Sequence, residues 1–299
     1  MNFFRIIKNV LLLLIFFVYK VNIWSQTTVE DALLWEISGK NLPSKSYLFG
    51  TIHLIPKEDF FLPKGLEEAL NHSKTLFLEL DMNEMNDMGK MMSIFERCYM
   101  KDDKKLSDLL DPSDYQLVSN KLEQLGLPMM MFERMKPLFL STLTAFDGGV
   151  SNKELENLKS YELVLTEMAN EKNIPLKGIE SIDFQLSIFD SIPYEVQAKS
   201  LVESLKSDSA STDSMKELIN FYKAQKVTKL AESTESTDMA LVPYLNILLN
   251  NRNKAWIPKI LESSKSGSCF YAVGAGHLGG EQGLISLLRK ENLTVKPIK

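Results

Sequence analysis

Apolar and polar positions along this 299-residue chain alternate between two kinds of pattern. Short, nearly unbroken apolar runs at 33–38, 47–54, 75–81, 174–179, 269–273 and 293–298 predict strands, since a strand covered on both faces has no polar side to show. They fall in the first and last thirds of the chain, with one in the middle. Between them, apolar residues recur at helical spacing. Residues 63–73 open with Pro63 and place Leu66, Ala69 and Leu70 on one face, with Glu67 and Glu68 near the positive end. Asp111-Pro112-Ser113 starts another helix that runs to about Leu125, where Gly126 stops it. Helical patterns also cover 136–146, 160–171, 193–206, 214–224, 239–250 and 282–291, while the Ser/Thr/Asp clusters 207–214 and 232–238 read as solvated loops. The expected fold class is α/β (α+β). A mixed central sheet is built from both chain ends, flanked by helices, with a large and mostly helical insertion over about 85–250.

The pattern contains one internal repeat. Tyr47-Leu48-Phe49-Gly50-Thr51-Ile52-His53-Leu54 aligns with Tyr271-Ala272-Val273-Gly274-Ala275-Gly276-His277-Leu278, and both segments close a predicted strand. The chain has 3 His and 14 Gly. At that composition a Gly three residues before a given His is expected about 5% of the time, so two of three by chance falls below about one in a hundred. The shared aromatic and Leu flanks make coincidence rarer still.

The N-terminus changes the picture of where the chain works. Arg5 and Lys8 precede an unbroken apolar run at 10–18, the order of a secretory signal. That run is far shorter than the roughly 20 residues of a membrane-spanning helix. The expectation is a signal peptide over 1–25, cleaved after Ser25, and a single domain over 26–299 in the periplasm or secreted. An uncleaved anchor is the alternative, because Ile23 and Trp24 make a poor cleavage context. No Cys follows the run, so lipid attachment is not supported. The formal net charge is −5, and losing Arg5, Lys8 and Lys20 with the signal takes it to −8. Such a surface lacks the basic footprint for nucleic acid or anionic lipid, and no second run is long enough to span a membrane. Cys98 and Cys269 are free to pair in an oxidising compartment or to remain separate buried thiols.

The repeat supplies the candidate chemistry. A Gly at a strand end lets the backbone turn or approach a neighbour, and a His three residues on is displayed just past the sheet edge where ligands bind in open α/β folds. If the strands of Gly50 and Gly274 are neighbours, His53 and His277 meet in one crevice. Imidazoles suit zinc, manganese, cobalt or iron, normally with a carboxylate added. The plainer alternative is two satisfied core histidines. Glu79 is the natural third member, because its run 75–81 is apolar at nearly every position and a carboxylate there needs a cation, proton or metal to compensate it. A surface pairing with Lys is the alternative. Glu180 holds a similar strand-end place. Arg134, Arg252 and Asn253 are candidates for supporting those groups or binding a substrate carboxylate, against a reading as surface ion pairs. His72, at the end of its helix, complements the helix dipole. The Met-rich stretch 81–92 offers thioethers for Cu(I), but reads more readily as an adaptable apolar face.

Three segments together resemble the TraB/GumN family, to whose wider group the Tiki metalloproteases belong. These are Leu48-Phe49-Gly50-Thr51-Ile52-His53-Leu54, Leu78-Glu79-Leu80-Asp81, and Val273-Gly274-Ala275-Gly276-His277-Leu278-Gly279-Gly280. Softer matches include Arg134-Met135-Lys136-Pro137, Lys177-Gly178-Ile179-Glu180-Ser181 with Gln185, and Arg252-Asn253. Two departures stand out. Leu138 follows Lys-Pro where the family favours Trp, and the C-terminal membrane segment of some members has no counterpart here. The resemblance implies an erythromycin-esterase-like fold with pseudo-twofold halves. It also implies metal-dependent hydrolysis of peptide or protein substrates, with His53, His277 and Glu79 at functional positions.

Two functions follow as expectations. One is an exported hydrolase using a divalent ion (Mn, Co or Zn) at a His/His/Glu site, with Glu79 as ligand or general base. The other is a non-catalytic extracytoplasmic protein that holds haem or a metal with the same histidines.

Overall fold

A computed structural model describes residues 30–81, 88–144, 157–206, 208–234 and 240–299. The expected signal segment and residues 82–87 of the Met-rich stretch lie outside these. In chain order the strands are β1 (Leu34–Ser38), β2 (Ser46–Thr51), β3 (Ile55–Pro56), β4 (Thr75–Leu78), β5 (Leu158–Lys159), β6 (Leu176–Gly178), β7 (Cys269–Gly274) and β8 (Thr294–Pro297). All six predicted strands are present, most of them shorter than the apolar runs that signalled them. β3 and β5 form a separate two-stranded ribbon.

The main sheet has the order β6-β4-β7-β2-β1-β8. Its first four strands run parallel, and β1 and β8 add on antiparallel. β2 and β7 lie side by side at its centre, every residue of both buried, which is why their sequences are apolar without alternation. Their register pairs Gly50 with Val273 and Thr51 with Gly274, so the two strands end level. Trp35, Phe49, Phe270 and Tyr271 fill the core around them. Each such side chain stabilises the fold by about 1.5–3 kcal/mol relative to exposure.

Two glycines set how closely the sheet's site edge is packed. A Cβ on Gly50 would lie 2.6 Å from Leu278 Cδ1 and 3.1 Å from Ala275, so Gly50 lets the turn after β7 close over β2. A Cβ on Gly178 would meet backbone atoms of Asp81 and Glu180 at 2.7 Å, so Gly178 lets the exits of β6 and β4 run against each other.

The helices differ from the sequence pattern in three places. The expected helix 239–250 is instead, over its described part, a 3-10 turn (Val242–Tyr244) and a π-turn (Asn246–Asn250), because Pro243 removes an amide donor. The long helix comes next, Asn251–Ser266, with Pro258 inside it. From Asp208 on, the expected loop belongs to the helix Asp208–Lys223, whose polar first half has no apolar stripe to announce it, and residue 207 lies outside the described residues. Helices at Met88–Arg97, Met129–Phe132, Ile182–Asp190 and Val227–Thr234 add to those foreseen. No helix among the described residues is long and apolar enough to cross a membrane.

Candidate active site

Four neighbouring parallel strands each deliver one polar group just beyond their C-terminal ends. In spatial order these are Glu180 after β6, Glu79 after β4, His277 after β7 and His53 after β2. All four are buried. The 3-10 turn Ala275–His277 carries His277 inward, while His53 follows β2 by two residues.

Two helices close on this row. Asn251–Ser266 presents Arg252, Asn253 and Trp256 on one face, all buried, as spacings of three and four residues require. Arg252 grips Glu180 two-handed, Nε to Oε2 at 3.2 Å and Nη2 to Oε1 at 2.6 Å. Nη2 also donates to Glu79 Oε2 at 2.6 Å. Nη1 donates to the Leu248 carbonyl of the π-turn at 3.2 Å, and the guanidinium lies over the Trp256 ring at 4.9 Å. Trp256 Nε1 and Gln185 Nε2 donate to the two oxygens of Glu180 at 2.9 and 3.2 Å. Glu79 Oε1 accepts from the Gly274 amide at 2.7 Å. The compensating cation expected for Glu79 is thus Arg252.

The histidines are each held by Nδ1. His277 Nδ1 meets Asn253 Oδ1 at 2.6 Å, and Asn253 in turn donates to the Gln282 carbonyl at 2.8 Å, which fixes its amide orientation. His277 Nε2 lies 3.9 Å from Glu79 Oε1 and 3.3 Å from Arg252 Nη1. His53 Nδ1 meets Glu162 Oε1 at 2.7 Å. Glu162 is buried in the first turn of the helix Tyr161–Glu171. Thr51 Oγ1 donates to its Oε1 at 2.8 Å and Ser160 Oγ to its Oε2 at 3.0 Å.

These surroundings set the charges. Burial raises Glu79, but Arg252, both histidines and the Gly274 amide outweigh it and hold the carboxyl down to about 2. Burial and the Arg252 charge together push His277 down to about 3, so its ring is neutral near pH 7. Burial disfavours a charged His53 as well, yet the Glu162 carboxylate beside it leaves it above the usual range. Glu162 itself is lowered despite burial, by His53 and its hydroxyl donors. Burial lifts Glu180 against the pull of Arg252.

His53, His277 and Glu79 fit a divalent cation in donor type, and both rings are fixed through Nδ1 as metal-binding imidazoles are. They do not form a ready-made cage. No group of three or more His, Cys, Asp or Glu side chains among the described residues is arranged to hold a metal ion. Loading would require Arg252 to give up its contact with His277 Nε2.

Of the residues singled out by sequence, Gly50, Glu79, Glu180, Arg252, Asn253, Gly274 and the two histidines come together. Arg134 does not join them: it is half-exposed and pairs with Asp103 at 2.7 Å. His72 is exposed at the end of its helix, Nδ1 on the Glu68 carbonyl at 2.8 Å. In the Met-rich stretch Met91 is buried, while Met88 and Met92 are exposed. Cys98 and Cys269 are free and buried. Glu162 and Thr51 were not foreseen. Glu162 had one signal, Ser160 before a helix with an acid in its first turn, which most helices with a solvated start also show, and Thr51 was visible only as a member of the repeat.

Fold and site together define an α/β protein with a buried centre of two histidines, two carboxylates and an arginine at its parallel strand ends. The chain belongs to the TraB/PrgY/gumN family, whose model matches residues 33–297. No curated protein and no solved structure matches it.

Proposed function

We propose that the protein is an exported, metal-dependent hydrolase acting on peptide bonds of peptide or protein substrates. The observation that carries this reading is the orientation of the two rings. His53 and His277 each commit Nδ1 to an oxygen, and the Glu79 carboxylate stands 3.9 Å from His277 Nε2. His53, His277 and Glu79 would hold a Mn, Co or Zn ion. When bound, such an ion supplies Lewis-acid polarisation of a scissile carbonyl and activation of water. Arg252 keeps Glu79 ionised and aimed, and the buried setting strengthens each of these electrostatic interactions. Glu79 has two roles open to it, ligand or base, and Glu79→Gln separates them: a lost base keeps the ion and loses turnover, a lost ligand loses both. Export rests on Arg5, Lys8 and the apolar run 10–18. N-terminal sequencing of the mature protein should begin close to Gln26, and an intact Met1 end on membrane-bound protein would refute cleavage.

The test is metal analysis of the purified mature protein, followed by a peptide-library cleavage screen with and without chelator. The expected result is a bound divalent ion and cleavage that chelation abolishes and added ion restores. His53→Ala and His277→Ala should each empty the site, and the double variant should be scarcely worse, because ligands act as a unit. His72→Ala should bind metal as the parent does. Cleavage indifferent to chelation rejects the metal. Metal held without cleavage of any peptide points to the binding protein instead, and a Soret band would identify haem.

A further inference from the structure

The two Gly-x-x-His units differ at the residue after Gly, which is Thr51 in one and Ala275 in the other. That hydroxyl has a defined task. It donates to Glu162 Oε1, the same oxygen that meets His53 Nδ1, while Ser160 holds Oε2. Ser160 is also the N-cap of the helix, so the carboxylate sits at the helix's positive end. Burying a carboxylate this deeply is costly unless donors and positive charge surround it. Here two hydroxyls, the His53 imidazole and a helix N-terminus do so. In the neutral ring, a carboxylate on Nδ1 fixes the proton there and places the lone pair on Nε2, the nitrogen on the far side from Glu162.

We infer that Glu162 is the positioning residue of His53, holding the Nδ1–H tautomer and making Nε2 a stronger donor than the Nε2 of His277, whose orienting group is the neutral amide of Asn253. A carboxylate behind an imidazole raises its basicity as a ligand, and a neutral amide does so less. This deepens the metal-dependent reading and rests on it for the ligand role, but the ring orientation can be tested without any metal.

The experiment uses the purified mature protein labelled with nitrogen-15 in histidine. With 3 His in the chain, each imidazole is assigned by substitution. In the metal-free parent, His53 should show a strongly downfield Nδ1 proton, the mark of a short bond to a carboxylate. Glu162→Gln keeps the shape and removes the charge. It should abolish that downfield signal, leave the His277 resonances in place and weaken Mn²⁺ or Zn²⁺ binding by about 10- to 100-fold. Should Glu162→Gln fail to fold, Thr51→Val decides, since it leaves Glu162 in place with one donor fewer. It should move the His53 Nδ1 proton and weaken ion binding to a smaller degree. A His53 ring unchanged in both variants, or one whose neutral form in the parent carries its proton on Nε2, overturns the assignment. A parent that binds neither ion but shows the downfield proton, lost in Glu162→Gln, rejects the metal while the positioning role stands.

Discussion

His53 and His277 leave neighbouring strands by the same Gly-x-x-His pattern and end in opposite electrostatic surroundings. Around His53 the nearest charge is the Glu162 carboxylate, and the imidazole is more basic than usual. Around His277 the nearest charge is the Arg252 guanidinium, the Nδ1 partner is neutral, and the ring is pushed down to about 3. Parallel neighbouring strands brought both rings to the same sheet edge, with the two glycines offset by one residue in register. Helices far away in sequence made them different, Tyr161–Glu171 for one and Asn251–Ser266 for the other. A repeated motif therefore locates a site, and the elements packed over it assign the chemistry of each copy.

The largest effect is expected at Arg252. Arg252→Met leaves Glu79 and Glu180 buried without their cation. Removing one partner of such a pair costs about 3–5 kcal/mol, read as a lower midpoint in urea unfolding. The same change should let His277 regain basicity and narrow the gap to His53. Asn253→Asp gives His277 a carboxylate like that of His53. Its imidazole should become markedly more basic. The lost donor to the Gln282 carbonyl should cost about 1–3 kcal/mol of stability, measured in the same unfolding experiment.

Acid stability of the metal-free protein reads both environments together. Glu79 is depressed from 4.5 to about 2, so its contribution is full above 4.5 and is lost as pH falls toward 2. His277 is depressed from 6.5 to about 3, so folding favours its neutral ring and that contribution fades from 6.5 downward. His53 has the reverse sign: its contribution is full below 6.5 and is lost as pH rises through its raised folded value. Urea midpoints should therefore fall from pH 6.5 toward 3, more steeply below 4.5, and His277→Ala should flatten the upper part of that slope. The smallest effect belongs to Arg134→Ala. A half-exposed ion pair contributes at most about 1 kcal/mol, and both histidines should keep the parent's behaviour.

Much of this centre was legible in the sequence because its strands are short and apolar, and two of them carry the repeated Gly-x-x-His at their ends. The repeat located His53 and His277, and the cost of a carboxylate inside an apolar run located Glu79. Glu180, Arg252 and Asn253 were identifiable only as polar groups near strand ends or in a matching motif. Arg134 looked the same in sequence and lies on the surface. Glu162 was hidden because an acid in a first helical turn is ordinarily solvated. Its burial comes from contact with His53, 109 residues away. The helix Asn251–Ser266 was obscured by Pro258, and the helix Asp208–Lys223 by a Ser/Thr/Asp-rich start that composition assigns to a loop. Local pattern reads the sheet well in this chain. It reads poorly whatever depends on a second element folding over it.

The decisive measurement is a pH titration of the histidine imidazoles by NMR in the metal-free protein, with His53→Ala and His277→Ala used for assignment. His53 should titrate above 6.5, while His277 should remain neutral until the pH approaches about 3. If the two rings titrate together near 6.5, the matched histidines share one environment and the division between them is wrong.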